Sequence, residues 1–299
     1  MVSINSLPCI LKDYLKNTHG AQYEKDAYRM GDGVSSAVYL GTYFPRSYVE
    51  IYNVLNNVIS KTCLSDIFKN KKEIYILDIG SGTGANIISI IDLLKKLFGK
   101  KNCHVISIDK DQASLDIQND ILNHFYNGAI GSRNLKSQQF NSIDDFKKET
   151  DSLLRKLNYQ YDFITCSKFV NEIYNKNYNG GGLFKELLEF AKAYLTDNGL
   201  FYVSDITNEI SINGNKYFPE IMNNEFREYF KENSSVKDIS LVLPIPCALW
   251  INKCRECTCF SQLSYNMINI EGNTEEANIN YKVFIKTKDI RKTINTKDL

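Results

Sequence analysis

Three glycines at alternate positions, Gly80, Gly82 and Gly84, join two apolar stretches of different character. Ile74–Ile79 has the length and β-branched content of a buried strand, and Ala85–Phe98 is the apolar helix that follows at once. A chain that passes from strand to helix in so few residues must turn sharply. Glycine allows the turn and lets a ligand approach without meeting a Cβ atom. The helix N-terminus beyond it presents free N–H groups and a positive dipole end. Such a turn at the carboxyl end of a parallel strand is where open α/β sheets place nucleotide-type ligands.

Strand and helix signals alternate from Glu73 onward. Strands are expected at Ile74–Ile79, His104–Asp109, Lys136–Phe140, Asp162–Cys166 and Leu200–Asp205. Helices are expected at Ala85–Phe98, Asp111–Tyr126, Asp144–Leu157, Phe184–Leu195 and Pro219–Phe230. Short apolar strands separated by amphipathic helices mean a mostly parallel sheet. Two last strands, near Ile239–Leu243 and Asn280–Ile285, would close it as a hairpin. Residues 1–70 read as helical, an N-terminal extension or lid ahead of a ligand-binding domain over 71–299. Pro45 suits the first turn of a helix running to about Thr62.

The glycine spacing decides between ligands. A dinucleotide fingerprint reads G-x-G-x-x-G. Here Asp78-Ile79-Gly80-Ser81-Gly82-Thr83-Gly84 has its third glycine one residue early and an acid two before the first. It resembles motif I of class I S-adenosylmethionine-dependent methyltransferases, whose loop wraps the amino-acid end of the cofactor. The second strand ends in Asp109, where a carboxylate can accept both ribose hydroxyls. The resemblance covers roughly Glu73 to Asp205. It implies a Rossmann-like, seven-stranded sheet with the last strand antiparallel. It also implies a cofactor set of Asp78, Gly80, Ser81, Gly82, Gly84, Asp109, Lys110, Asn141 (toward the adenine) and Ser167. Tyr43 and Arg46, ahead of the loop, would cover the cofactor carboxylate or the substrate entrance.

Methyl transfer from a sulfonium needs an acceptor held in line, and sometimes a proton removed. The segment after the fourth strand, Cys166-Ser167-Lys168-Phe169-Val170-Asn171-Glu172, is where the family's catalytic residues lie. Lys168, Asn171 and Glu172 are the candidates, Glu172 as a base or amine-orienting group and Asn171 as a hydrogen-bonding positioner. A polar helix start, with Glu172 answering the helix dipole, is the alternative. Neither the Asn/Asp-Pro-Pro-Tyr motif of many base amino-group methylators nor the cysteine pair of cytosine C5 methylators is present.

Four of the eight cysteines, Cys247, Cys254, Cys257 and Cys259, crowd a Cys-rich insertion over 245–262. Four thiolates suit structural zinc or an iron–sulfur cluster, and Cys254-x-x-Cys257 has ligand spacing. Chance clustering is the other reading. With 36 basic and 35 acidic side chains the chain exerts no global pull on nucleic acid. No membrane span or secretory signal is expected, so a cytoplasmic, mostly reduced protein is.

The segments Tyr43-Phe44-Pro45-Arg46-Ser47-Tyr48, Asp162–Ile173 and the cysteine cluster also resemble a methyltransferase-like family associated with the small ribosomal subunit. The leading expectation is an enzyme that methylates an N or O nucleophile in rRNA, a peptide or a small metabolite. The alternative is a non-catalytic, metal-stabilised assembly factor. A nicotinamide-dependent oxidoreductase is opposed by the glycine spacing.

Overall fold

The computed structural model describes residues 4–27, 34–126, 130–136, 148–150, 152, 159–174, 182–207, 209–211, 215–233, 238–243 and 263–287. Its centre is a sheet in the order β3-β2-β1-β4-β5-β10-β8. These strands are β1 (Glu73–Ile79), β2 (Asn102–Asp109), β3 (Ile130–Lys136), β4 (Tyr161–Ser167), β5 (Leu195–Asp205), β8 (Ile239–Leu243) and β10 (Thr274–Lys286). β1 to β5 pair in parallel, and β10 runs antiparallel to both β5 and β8. This is the seven-stranded arrangement the motif implied. An eighth strand, β9 (Leu263–Ile268), pairs with Thr274–Ile279 of β10, and a separate ribbon joins β6 (Glu209–Ser211) to β7 (Asn215–Tyr217).

Helices cover both faces. On one lie α1 (Cys9–His19), α2 (Ser36–Ser60), α3 (Leu64–Asn70), α4 (Ala85–Phe98) and α5 (Gln112–Tyr126), sharing a core with Ile74, Ile76, Val105 and Tyr202. The other face carries α6 (Val170–Tyr174), α7 (Leu183–Tyr194) and α8 (Phe218–Glu232), packed on Leu77, Ile164, Phe201 and Phe284. Polar side chains lock the layers together. Asp92 of α4 accepts the hydroxyls of Tyr48 from α2 (2.8 Å) and Tyr126 from α5 (2.6 Å). Buried Glu225 of α8 accepts the Tyr174 hydroxyl and the N–H groups of Gly182 (2.8 Å) and Phe184 (2.9 Å), capping α7.

The structure corrects the expectations in four places. The helix expected from Pro45 begins at Ser36, with Ser35 Oγ accepting the Val38 N–H at 3.3 Å, and Pro45 is interior. An interior proline costs about 3 kcal/mol. Full burial of Phe44, Tyr48, Val49, Ile51, Leu55 and Val58, each contributing roughly 1.5–3 kcal/mol, outweighs it. The third strand starts at Ile130 and runs to Lys136, while residues 137–140 of the expected strand lie outside the described residues. It is an edge strand, and its Gly-Ser-Arg-Asn sequence carries no apolar run. The fifth strand begins at Leu195 rather than at Leu200. The closing strands pair as expected, but β10 starts at Thr274 and holds β9 as well. Of the helix expected over Asp144–Leu157, residues 148–150 and 152 are helical and the rest lie outside the described residues.

Candidate cofactor and methyl-transfer site

The loop between β1 and α4 is built as its glycines require. Gly80, Gly82 and Gly84 have φ of 67°, 51° and 85°, the left-handed region that other residues enter at a cost. Space is short as well. A Cβ on Gly80 would stand 2.6 Å from Phe169, and one on Gly84 would run into Gln118. Backbone hydrogen bonds tie the loop to the tip of β2: Gly80 and Ser81 both donate to the Ile108 carbonyl, at 2.9 and 3.2 Å. Gly82 donates to Asp109 Oδ2 at 2.7 Å, and Ser81 Oγ donates to Gln118 Oε1 at 2.6 Å.

Around this loop three buried polar atoms have no hydrogen-bond partner among the described residues: Asp78 Oδ2, Thr83 Oγ1 and Asn86 Oδ1. Asp78 is fully buried, and its Oδ1 accepts Thr165 Oγ1 (2.6 Å) and Asn86 Nδ2 (3.1 Å). Burial pushes its carboxyl up to about 6 against those hydrogen bonds. Asp109 is raised by burial too, although the Asp111 and Gly82 N–H groups stabilise its charged form. Buried acceptors without donors are costly, so their gathering at one loop points to a hydrogen-bonding ligand.

Across the cleft the tip of β4 supplies a cation. Lys168 sits at φ 54° and donates its backbone N–H to the Ser204 carbonyl at 2.8 Å. Its ammonium lies 2.9 Å from Glu50 Oε2 and 3.2 Å from Ser47 Oγ, both on α2. Tyr39, Phe44, Ser47, Thr83, Asn86, Ser167 and Lys168 border one open cleft with the loop. Tyr39 lies over Gly82. Its ring is partly exposed, yet its enclosed hydroxyl is held above the ordinary phenol range by burial and by Glu172, Asp109 and Asp78. A second cavity, between Ser6, Leu7, Lys12 and Ile270, is lined by none of the loop residues.

The expected site residues divide into groups. Gly80, Ser81, Ser167 and Lys168 line the cleft; Gly82 and Gly84 shape its loop; Asp78 and Asp109 close on that loop from β1 and β2. Arg46 is committed elsewhere, its guanidinium 2.9 Å from Glu275 Oε2 on β10. Tyr43 packs its ring against Tyr39, 5.4 Å between centroids. Lys110 and Glu172 are exposed and pair with each other at 2.9 Å, so the expected base faces a cation. Asn171 Oδ1 is buried without a partner, and the Asn171 backbone N–H donates to Asp205 Oδ2 at 3.2 Å. Asn141 and Cys247, Cys254, Cys257 and Cys259 lie outside the described residues.

Four participants were not anticipated: Tyr39, Ser47, Glu50 and Asp205. The first three follow one stripe of α2, with Tyr43 between them, at helical spacing. Placing the helix start at Pro45 hid that stripe. Asp205 ends β5 and caps α6, accepting the Val170 and Asn171 N–H groups on Oδ2 and that of Ile206 on Oδ1. Burial pushes it up to about 7 despite three N–H donors, with Glu172 adding repulsion.

Residues 58–240 match a family described as a methyltransferase domain, which is more than half of the chain. No curated protein matches it in sequence. Among solved structures it resembles precorrin-6y C5,15-methyltransferase from Geobacter metallireducens GS-15, with 11% identity over 75% of this chain and 86% of that one, at a TM-score of 0.41. It also resembles magnesium protoporphyrin IX methyltransferase from Synechocystis PCC 6803, solved with bound SAM (10% identity, 93% and 96% covered, TM-score 0.41). An rRNA methylase from Streptococcus thermophilus overlaps similarly (9%, 75% and 94%, TM-score 0.40). Overlaps of this size say nothing about the acceptor. The family match covers the glycine loop, Asp109 and the β4 tip, and the chain belongs to the class I S-adenosylmethionine-dependent methyltransferases.

Proposed function

We propose that this methyltransferase is catalytically active and carries a methyl group to a nitrogen or oxygen nucleophile of a small molecule. The observation that supports it most is the pairing of orphaned acceptors and a tethered cation across one cleft. A zwitterionic amino-acid group needs both. Asn86 Oδ1 and Thr83 Oγ1, with Asp78 behind them, suit its ammonium. Lys168 suits its carboxylate, the role expected of Arg46, which Glu275 occupies. Asp109 keeps free lone pairs for ribose hydroxyls while it holds Gly82. A Cβ at Gly80 or Gly84 would collide with Phe169 or Gln118, so the loop keeps this shape only with glycine there.

When bound, S-adenosylmethionine supplies an electrophilic methyl group on a sulfonium. The protein's part is to orient an acceptor and exclude water. Asn171 Oδ1, buried and unpartnered three residues beyond Lys168, suits an acceptor N–H or O–H and would aim its lone pair. Glu172 is half-exposed and salt-bridged, which argues for orientation rather than proton removal. The helix α2 over the cleft and the near-neutral net charge favour a small acceptor over nucleic acid. The test is transfer of labelled methyl groups into separated metabolite, peptide and RNA fractions. Label in the metabolite fraction is expected. Label in RNA alone would overturn the small-acceptor assignment, and donor binding with no transfer to any fraction would overturn catalysis.

A further inference from the structure

Lysine carries three ammonium hydrogens on a flexible four-carbon stem, so a lone lysine aims none of them well. Lys168 is different. Its backbone is fixed in the left-handed region by the bond to Ser204, its ammonium donates to Ser47 Oγ, and it forms an ion pair with Glu50 Oε2 at 2.9 Å. Glu50 is itself held from two sides. It is 3% exposed, it belongs to α2, and its Oε1 accepts the Tyr265 hydroxyl of β9 at 2.5 Å. A single buried carboxylate therefore links α2, the β9–β10 ribbon and the tip of β4.

We infer that Glu50 is a positioning residue for the methyl donor: its ion pair holds Lys168 so that the ammonium meets the donor's carboxylate, and docking of α2 and β9 thereby sets donor affinity. The inference rests on the assignment of Lys168 to that carboxylate. It differs from a purely structural ion pair in one measurable respect. A structural Glu50 would weaken binding whatever stands at position 168, whereas a positioning Glu50 acts only through the lysine.

The experiment is calorimetric titration of the full chain with S-adenosylhomocysteine, which retains the amino-acid end, using Glu50→Gln, Lys168→Met, the double variant and Tyr265→Phe. Lys168→Met and Glu50→Gln are each expected to weaken binding about tenfold, and the double variant no more than Lys168→Met alone. Tyr265→Phe keeps the ion pair and is expected to weaken binding about threefold, so the inference stays testable if Glu50→Gln folds poorly. Unchanged affinity in Glu50→Gln or, where that variant is unfolded, in Tyr265→Phe overturns the inference, as does an additive loss in the double variant. Unchanged affinity in Lys168→Met overturns the carboxylate assignment beneath it. A wild-type chain that does not bind the ligand overturns the donor site itself.

Discussion

Replacing Asp205 with asparagine tests whether the corner that carries Lys168 and Asn171 is held by an acid that prefers its neutral form. Burial raises this carboxyl from its ordinary 3.8 to about 7. Between those values the folded chain keeps a proton that the unfolded chain has released. Stability from this group is therefore complete below the unfolded value and is lost as pH rises through the folded one. At 1.36 kcal/mol per unit, a separation of about 3 units corresponds to about 4 kcal/mol, of which about 2.5 kcal/mol is lost between about pH 5 and about pH 8. Asparagine does not titrate. Its Oδ1 can still accept the Val170 and Asn171 N–H groups, but its amide hydrogens then face the Ile206 N–H, a mismatch of about 1–3 kcal/mol. Urea unfolding followed by circular dichroism, with both proteins at several pH values, measures the gap between them. Other titrating groups, such as Asp78 and Lys282, are present in both and cancel to first order. The wild type should lead by the widest margin at low pH, and the margin should shrink by about 2.5 kcal/mol toward about pH 8. A margin that stays constant, or widens as pH rises, would refute the protonated cap.

Gly82→Val is expected to weaken S-adenosylhomocysteine binding at least about tenfold in calorimetry, because the left-handed φ costs a β-branched residue about 1–2 kcal/mol and the new Cβ would stand 3.1 Å from the Tyr39 hydroxyl. The fold should survive by circular dichroism, and unchanged affinity would remove the loop from the donor site. Asp109→Ala removes the acceptor for the Gly82 and Asp111 N–H groups as well as the acid opposite the ribose; a loss of about 10- to 100-fold in donor affinity follows from about 1.5–3 kcal/mol for a charged hydrogen bond. Freshly purified protein is expected to carry one structural zinc or iron–sulfur group per chain on Cys247, Cys254, Cys257 and Cys259, measured by elemental analysis. A fully folded, anaerobically prepared chain without metal would remove that assignment.

What the sequence made legible followed from how strongly local chemistry constrains the backbone. The β1–loop–α4 unit could be read to within a residue at its ends because three left-handed glycines, a buried apolar strand and a buried helix all require the same geometry. β2 with Asp109 and β4 with Ser167 are central strands, apolar on both faces, and were legible for the same reason. β3 and the first half of β10 were not. The former is a polar edge, and the latter, Thr274–Ile279, gains its order from pairing with β9 rather than from its own composition. At Pro45 a local rule pointed to a helix start, and tertiary burial overrode it.

The same distinction governs the site. Residues that shape the backbone, the glycines and the strand-end acids, announce themselves by spacing. Side chains that act through distant partners do not. Arg46 carries the right charge ahead of the loop, but Glu275, 229 residues away in sequence, holds it outside the cleft. Lys168 and Glu50 are separated by more than a hundred residues, and nothing near either one signals the pair. Their meeting depends on where α2 lies beside the β1–α4 loop, and that placement is set by the apolar stripe that buries Phe44, Tyr48 and Leu55 against α4 and the core it shares with the sheet. The polar stripe Tyr39-Tyr43-Ser47-Glu50 is brought to the cleft as the neighbouring face of that buried surface. Burial of α2 and assembly of the cleft are thus one event, so substitutions that loosen α2 from α4 and that core should cost donor affinity along with stability.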